Sequence, residues 1–181
     1  SETIQDVLRD PMERVAIVSY TKSLAEVFLG TIKQVFETND FLRSLFSDVI
    51  WERTSESAKW AADAILLKRP KVMKEHSVEA HGLLDGMPTG RHFSKRVYDD
   101  IMTLDMSFSP AVIQAAKYKY DMSESTGMEG GRKRVIGTYY THDDVMVYIE
   151  NQKREDGSPM YYTRLKPATT DGSRNASCDP E

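Results

Sequence analysis

The chain has 181 residues, of which 40% are hydrophobic and 29% are charged, and its formal net charge is −4. This length fits one domain and this composition supports a buried core, which excludes a disordered chain. The negative charge excludes a protein-wide basic surface for nucleic acid but allows a local basic groove. A single cysteine, Cys178, excludes an internal disulfide, and no run of about 20 apolar residues could span a bilayer, so we expect a reducing compartment and no membrane partner.

The first half of the chain predicts alternating helices and strands. Apolar residues at helical spacing open it, namely Ile4, Val7 and Leu8. The β-branched run 14–20 (RVAIVSY) then predicts a buried strand, and the one-sided apolar pattern of 21–38 predicts a helix. The further predictions are a helical turn at 41–46, strands at 64–68 and 77–81, and a glycine-bearing loop at 82–90.

The second half continues this alternation. The run 95–101 (KRVYDDI) predicts a short strand that contains two adjacent acids. A helix is predicted at 110–118, with Ser109 as its N-cap and Pro110 in its first turn, and the Gly- and Ser-rich segment 122–132 predicts a mobile loop. The remaining predictions are a strand at 134–140, a helix at 143–152, a strand at 161–165 and a polar tail at 169–181.

Strands separated by helices predict an α/β fold with a mostly parallel sheet. Ligands of such sheets bind beyond the carboxyl ends of the strands. This rule selects the residues at the ends of the predicted strands as site candidates, namely Ser19, Asp99, Asp100, Gly137 and Thr138.

Asp99 and Asp100 form the most informative of these candidates. One carboxylate can bind Mg²⁺, directly or through water, and the other can orient or deprotonate an attacking water. An acidic pair is also typical of a helix N-cap or of an exposed surface, because acids are common at helix starts. The residues alone leave both interpretations open.

The other candidates have similar alternatives. Gly137 and Thr138 can let the backbone approach a ligand and offer it a hydroxyl, and they also suit a simple exit from a strand. Arg91 can reach a γ-phosphate in its own subunit or in a neighbour, and it is also compatible with an exposed loop cation. No G-x-x-x-x-G-K-[ST] sequence occurs, so the chain lacks a phosphate-binding loop, and no His or Cys pair has zinc spacing.

Four segments occur in a distinctive order: RVAIVSYTKSLAEVF, HSVEAHGLLDGMPTGRHFSKRVYDD, RVIGTYYTHDDV and YYTRLKPATTDG. This series, within residues 4–172, resembles the ATPase domain of tailed-phage terminase large subunits, the ATP-driven motors that package DNA. The resemblance implies an incomplete three-layer P-loop NTPase fold of the RecA or ASCE type. Residues 1–168 would be the partial ATPase domain, and residues 169–181 would be a tail or the start of a linker to a nuclease domain.

The same resemblance implies roles for individual residues. Asp99 matches the Mg²⁺-associated acid of the Walker B element, and Asp100 matches the catalytic carboxylate. Gly137 and Thr138 match the motif that couples hydrolysis to movement, and Ser19 ends the strand after the phosphate-binding helix. The implied cofactors are ATP and Mg²⁺, and the implied partners are double-stranded DNA, like subunits, a small terminase subunit and a portal.

The resemblance also implies a longer parent protein. Its phosphate-binding loop would precede Ser1 and its nuclease domain would follow Glu181. The parent would act in the cytoplasm of the infected bacterial host and would not remain in the virion. Two alternatives stay open, a helicase-like NTPase fragment and a non-catalytic remnant that folds and binds partners. A sheet without its phosphate-binding strand is expected to expose an apolar flank and to be marginally stable or self-associate.

Overall fold

The computed structural model describes residues 2–88 and 90–166, in which helices and strands alternate. In chain order, the elements are α1 (Glu2–Arg9), β1 (Val15–Ser19), α2 (Lys22–Thr38), α3 (Asp40–Leu45), β2 (Ala64–Ile65), β3 (Val78–Gly82), β4 (Phe93–Asp99), α4 (Leu104–Ser107), α5 (Pro110–Ser123), β5 (Gly127–Ile136) and α6 (Val145–Glu150). Short 3₁₀ turns occur at Thr54–Glu56 and Glu124–Thr126.

The five strands form one mixed sheet in the order β2–β3–β1–β4–β5. β1 pairs in parallel with β3 and β4, and β4 pairs in parallel with β5, whereas the two-residue β2 is antiparallel to β3. The predicted α/β class with a mostly parallel sheet is therefore confirmed. β5 is the last strand on its side, so within the described residues its outer edge has no strand partner.

Helices cover both faces of the sheet. Alternate residues of β1 point to opposite faces, as the two-residue period of a strand requires. Val15 and Ile17 pack with residues of α1 and α2, while Ala16 and Val18 pack with residues of α5 and α6. Because both faces are covered, all of β1 is buried, which explains its continuous apolar run up to Ser19.

The longest described helix, α2, forms one wall of the region beyond β1. Thr21 caps it by accepting a hydrogen bond from the Leu24 amide at 3.3 Å. Its apolar face packs on the sheet through Leu29, Ile32 and Phe36, which are buried. No helix in the two described ranges is both long and apolar enough to cross a membrane.

β4 contains two buried cations, Lys95 and Arg96, whose side chains bind partners on opposite faces of the sheet. Lys95 faces α1 and pairs with Glu2 and Asp6. Arg96 faces the other side, where its guanidinium donates to the carbonyl oxygens of Ser123 and Glu124, each at 3.0 Å. These partners allow a strand with a Lys-Arg sequence to lie in the middle of the sheet.

The expectation of a mobile loop at 122–132 is wrong. α5 continues to Ser123, and β5 begins at Gly127. The glycines allow β5 to pack closely against β4, because a Cβ at Gly127 would overlap the Arg96 guanidinium. A Cβ at Gly131 would lie only 2.9 Å from a backbone oxygen. Glycine here indicates close approach to β4 and not flexibility.

Other predicted limits also change. The strand predicted at 134–140 ends at Ile136, so Gly137 and Thr138 follow it instead of belonging to it. The predicted helix 143–152 is shorter, at Val145–Glu150, and no strand forms at 161–165. The predicted tail 169–181 lies outside the described residues.

Candidate functional site

The carboxyl ends of three parallel strands meet at one edge of the sheet, which we call the carboxyl edge. Ser19, Asp99 and Ile136 are the last residues of β1, β4 and β5. Two backbone hydrogen bonds join the segments that leave these strands. The Tyr20 amide donates to the Asp100 carbonyl at 3.2 Å, and the Asp100 amide donates to the Ile136 carbonyl at 3.1 Å. The fold therefore brings the predicted residues Ser19, Asp99 and Asp100 together.

Asp99 lies in an open cleft between α1, α2 and the last two strands of the sheet. The cleft has a volume of about 360 Å³. Its floor and walls are mainly apolar, with a few charged groups at the rim. The residues that line it are Glu2, Thr3, Ile17, Phe28, Thr31, Ile32, Lys95, Val97, Asp99, Arg134 and Ile136. A ligand at the carboxyl edge can therefore contact Asp99 from the α1 and α2 side of the sheet.

The Asp99 carboxyl is in an unfavourable electrostatic environment. Burial raises its pKa, and the negative charge of Asp100 raises it further. Within the described residues, no hydrogen bond or cation offsets these two effects. A bound cation would do so, because it would stabilise the ionised form of a half-buried acid.

The two acids alone would be an incomplete protein site for a metal. Within residues 2–88 and 90–166, no group of three or more His, Cys, Asp or Glu side chains could hold a metal ion. Mg²⁺ usually keeps several waters and takes one or two carboxylates together with substrate phosphates. The chemistry of Asp99 and Asp100 fits that ligand set, and it does not fit a metal held by protein ligands only.

Asp100 has an unusual backbone conformation. Its φ of 48° is the only positive value at a non-glycine residue in the described part of the chain. Such a conformation costs on the order of 1 kcal/mol, although aspartate tolerates it better than most residues. The two backbone hydrogen bonds to Tyr20 and Ile136 hold it in place. The result is a strained turn that presents an exposed carboxylate beside Asp99.

Ser19 contributes a buried hydroxyl to the carboxyl edge. Its side chain is fully buried, and its hydroxyl oxygen has no hydrogen-bond partner within the described residues. The register of β1 and β4 pairs Val18 with Tyr98, so the next step along both strands brings Ser19 beside Asp99. A buried polar group without a partner costs roughly 1–3 kcal/mol, which a ligand at this edge would offset.

Gly137 and Thr138 lie just beyond β5, where α6 packs against the turn. A Cβ at Gly137 would lie 3.0 Å from the sulfur of Met146, so close packing explains the glycine. Thr138 is exposed. The structure adds Asp144, which is buried, caps α6 and accepts a hydrogen bond from the Tyr140 amide at 2.7 Å. The sequence signal for this cap was the acid that directly precedes an apolar helix.

A second open cleft, of about 480 Å³, is lined by the residues that come after Thr138. The residues that line it are Tyr139, Tyr140, Thr141, His142, Val147, Glu150 and Leu165. Tyr139 donates a hydrogen bond to Glu150 at 3.0 Å. Burial and this hydrogen bond raise the pKa of Tyr139 to about 12, so the phenol stays neutral and acts as a donor.

Arg91 lies at the opposite edge of the sheet, which we call the amino edge. It lies two residues before the start of β4, and its guanidinium pairs with the buried carboxylate of Glu79 in β3. Asp99 is the last residue of β4, so the two residues are roughly 25 Å apart along the chain at the usual rise of a strand. The structure therefore does not bring Arg91 to the acidic pair of its own chain, and a contact with a neighbouring subunit's site stays a prediction.

Glu79 is the centre of a network at this amino edge. It accepts a hydrogen bond from the His76 amide at 2.8 Å and contacts the His81 ring at 3.1 Å. Burial alone would raise its pKa, but the hydrogen bonds from His81 and His76 and the charge of Arg91 lower it to about 2. The ion pair of Arg91 and Glu79 is therefore present at all physiological pH values.

The chain matches no protein-family model, and no curated protein shows significant sequence similarity to it. These comparisons assign no family, so a functional proposal depends on the four ordered segments of the sequence and on the geometry of the carboxyl edge.

Proposed function

We propose that this chain is part of the ATPase domain of a tailed-phage terminase large subunit, which couples ATP hydrolysis to the movement of double-stranded DNA. One observation carries the proposal. The acidic pair Asp99 and Asp100 lies at the carboxyl end of a central parallel strand, beside the Ser19 hydroxyl, to which no group in the described part of the chain is hydrogen-bonded. The order of the four sequence segments supports the choice of terminase among nucleotide-driven motors.

Each residue of the pair suits a different task. Asp99 is half-buried in a cleft, and its raised pKa favours pairing with a cation, so it would hold Mg²⁺ directly or through water. Asp100 is exposed next to it and would orient the attacking water or accept its proton. Bound Mg²⁺ would supply charge neutralisation on the phosphates. Ser19 would donate to, or accept from, a polar group at the same edge.

The strand order supports the finer proposal of an incomplete P-loop NTPase sheet. β4, which ends at Asp99, lies between β1 and β5, and no strand of residues 2–88 or 90–166 pairs with the outer edge of the ten-residue β5. A further parallel strand can add to that edge, where its carboxyl end would face the Asp99 cleft. We propose that such a strand, with the phosphate-binding loop, comes from a segment of the parent outside the 181 residues.

The same proposal names the parent's partners. They are double-stranded DNA, a ring of like subunits, a small terminase subunit and a portal, and the place of action is the cytoplasm of the infected bacterium. Arg91 would act on ATP only across a subunit boundary, because it lies at the opposite edge of its own sheet.

The decisive experiment is a change at Asp100 in the parent protein. Asp100→Asn keeps the size of the side chain and removes its ability to accept a proton, so ATP turnover should fall by about 100-fold or more. Nucleotide binding should be retained, as measured with a fluorescent ATP analogue. Asp105→Asn, in α4, is a matched control that should leave turnover unchanged. Turnover that survives Asp100→Asn would rule out the assigned role.

A second experiment uses the present chain. Without a phosphate-binding loop, it should not bind ATP at micromolar concentrations, as measured by isothermal titration calorimetry. Micromolar binding would contradict the proposal that the phosphates are held by another segment. The alternative of a non-catalytic remnant predicts that no flanking segment of the parent restores hydrolysis.

A further inference from the structure

The loop between β2 and β3 is the most cationic stretch of a chain with net negative charge. Residues 68–74 (KRPKVMK) contain four cations and no acid. The tip of this loop projects into solvent, since Pro70 and Lys71 are exposed and Val72 is fully exposed. We call these residues the basic loop.

The basic loop lies against the segment that carries Arg91. The Lys74 ammonium donates a hydrogen bond to the Gly90 carbonyl at 2.6 Å. Arg69 holds the turn of the loop by donating to the carbonyls of Met73 and Glu75 at 3.2 and 2.7 Å. The cations of the loop therefore lie beside the start of β4 at the amino edge. This surface, the basic edge, consists of Lys68, Arg69, Lys71 and Lys74, and the ion-paired Arg91 lies next to it.

The acids that accompany the basic edge lie beneath it. Glu75 and Glu79 are only 4% and 3% exposed, and both carboxylates already bind other groups of the chain. Glu75 accepts a hydrogen bond from the His92 amide at 2.8 Å, and Glu79 binds Arg91. These two acids are therefore not available to compete with an external polyanion for the cations of the basic loop.

We propose that the basic edge binds the phosphodiester backbone of duplex DNA. The identity of the polyanion rests on the proposed function, whereas the charge distribution does not. A projecting loop with several lysines and arginines suits repeated phosphates, and residues 68–74 form neither a helix nor a two-stranded ribbon that could enter the major groove. Binding is therefore independent of base sequence, as a protein that moves along DNA requires.

In this proposal, the DNA and the nucleotide bind at opposite ends of β4. DNA contacts the amino ends of β3 and β4, and the nucleotide contacts the carboxyl end of β4, roughly 20 Å away. β4 connects the two sites, because it begins next to Arg91 and ends at Asp99.

The test measures binding of a fluorescein-labelled DNA duplex to the chain by fluorescence anisotropy at low salt, without nucleotide. The variant Lys71→Gln/Lys74→Gln should weaken binding at least tenfold and reduce the slope of log K against log salt by about 2. The matched control Lys153→Gln/Arg164→Gln removes the same charge from exposed positions of the C-terminal segment and should change neither quantity.

Lys71→Glu provides a second variant, because Lys71 is exposed at the loop tip and its replacement should leave the fold intact. It should weaken DNA binding while the circular dichroism spectrum and melting temperature stay unchanged. Three results would overturn the proposal: no binding by the unchanged chain, equal losses in the control, or binding to anionic phospholipid vesicles but not to DNA. Since no nucleotide is present, none of these results depends on whether Asp100 is catalytic.

Discussion

Lys95 in β4 donates a hydrogen bond to the Asp6 carboxylate of α1 at 2.5 Å, and both side chains are buried. Lys95 also donates to Glu2 at 2.7 Å, and Asp6 also accepts from Arg132 of β5 at 3.2 Å. α1 is thus attached to two neighbouring strands through charges as well as through its apolar residues. The Lys95 charge can be buried in the sheet only because α1 supplies the acids.

The first prediction concerns this ion pair. Asp6→Asn leaves the buried ammonium of Lys95 with Glu2 as its only carboxylate partner, so the free energy of unfolding should fall by about 3 kcal/mol. The double variant Asp6→Leu/Lys95→Met replaces both charges with apolar groups and should lose less than Asp6→Asn alone. Urea denaturation measures both effects. A double variant that is less stable than the single one would show that the charges themselves stabilise the fold.

The second prediction concerns pH and Glu79. Its folded pKa of about 2 lies below the ordinary value of 4.5, so its ionised form stabilises the fold above pH 4.5. This contribution, about 3 kcal/mol in full, is lost as the pH falls from 4.5 toward 2. Glu79→Gln should remove most of the dependence of the unfolding free energy on pH in this window. An unchanged slope would assign acid denaturation to other carboxylates, such as Asp6.

The third prediction concerns the backbone of Asp100. Its positive φ is strained for aspartate and natural for glycine, so Asp100→Gly should raise the free energy of unfolding by about 0.5–1 kcal/mol. Asp100→Asn keeps the backbone strain, because asparagine adopts the same conformation, and should stabilise the chain at neutral pH only by removing the repulsion with Asp99. Thermal denaturation of both variants tests this. A destabilised glycine variant would mean that the carboxylate forms a stabilising contact.

The fourth prediction concerns the ionisation of Asp99. Burial and the charge of Asp100 raise its pKa, so its ionised form opposes folding at neutral pH. Asp99→Asn should therefore stabilise the chain at pH 7, and the difference should vanish below the unfolded pKa of about 3.9. In a carboxyl-carbon NMR titration, Asp100→Asn should lower the pKa of Asp99. A titration that is insensitive to this substitution would show that the charge of Asp100 does not act on Asp99.

The sequence predicted the elements that depend on local patterns. The continuous apolar run of β1 and the acids at the end of β4 both follow from short segments, and the parallel sheet brought them together as expected. The sequence predicted only the end of β5, within a strand at 134–140, because Gly127 and Gly131 in the segment 122–132 were interpreted as loop residues. Composition cannot distinguish a glycine chosen for flexibility from one chosen for close approach.

Charged residues were the second source of error. The pattern predicted a strand that begins with Lys95 and Arg96 without indicating which partners neutralise them, and it predicted that Arg91 could reach a γ-phosphate in its own subunit or in a neighbour. The partners that neutralise Lys95 and Arg91 are Asp6 and Glu79, which are 89 and 12 residues away along the chain. Such pairs depend on the assembled sheet, so no local pattern reveals them.

The separation of Asp6 and Lys95 in the sequence also determines when α1 can dock against β4. Asp6 leaves the ribosome 89 residues before Lys95, which corresponds to on the order of 10 s of translation. During that interval the acids of α1 have no cation from β4 or β5, and the helix remains solvated. Although α1 is synthesised before β4, it therefore reaches its final position only after β4 has emerged, and its amide protons should gain protection late in pulse-labelling experiments on the nascent chain.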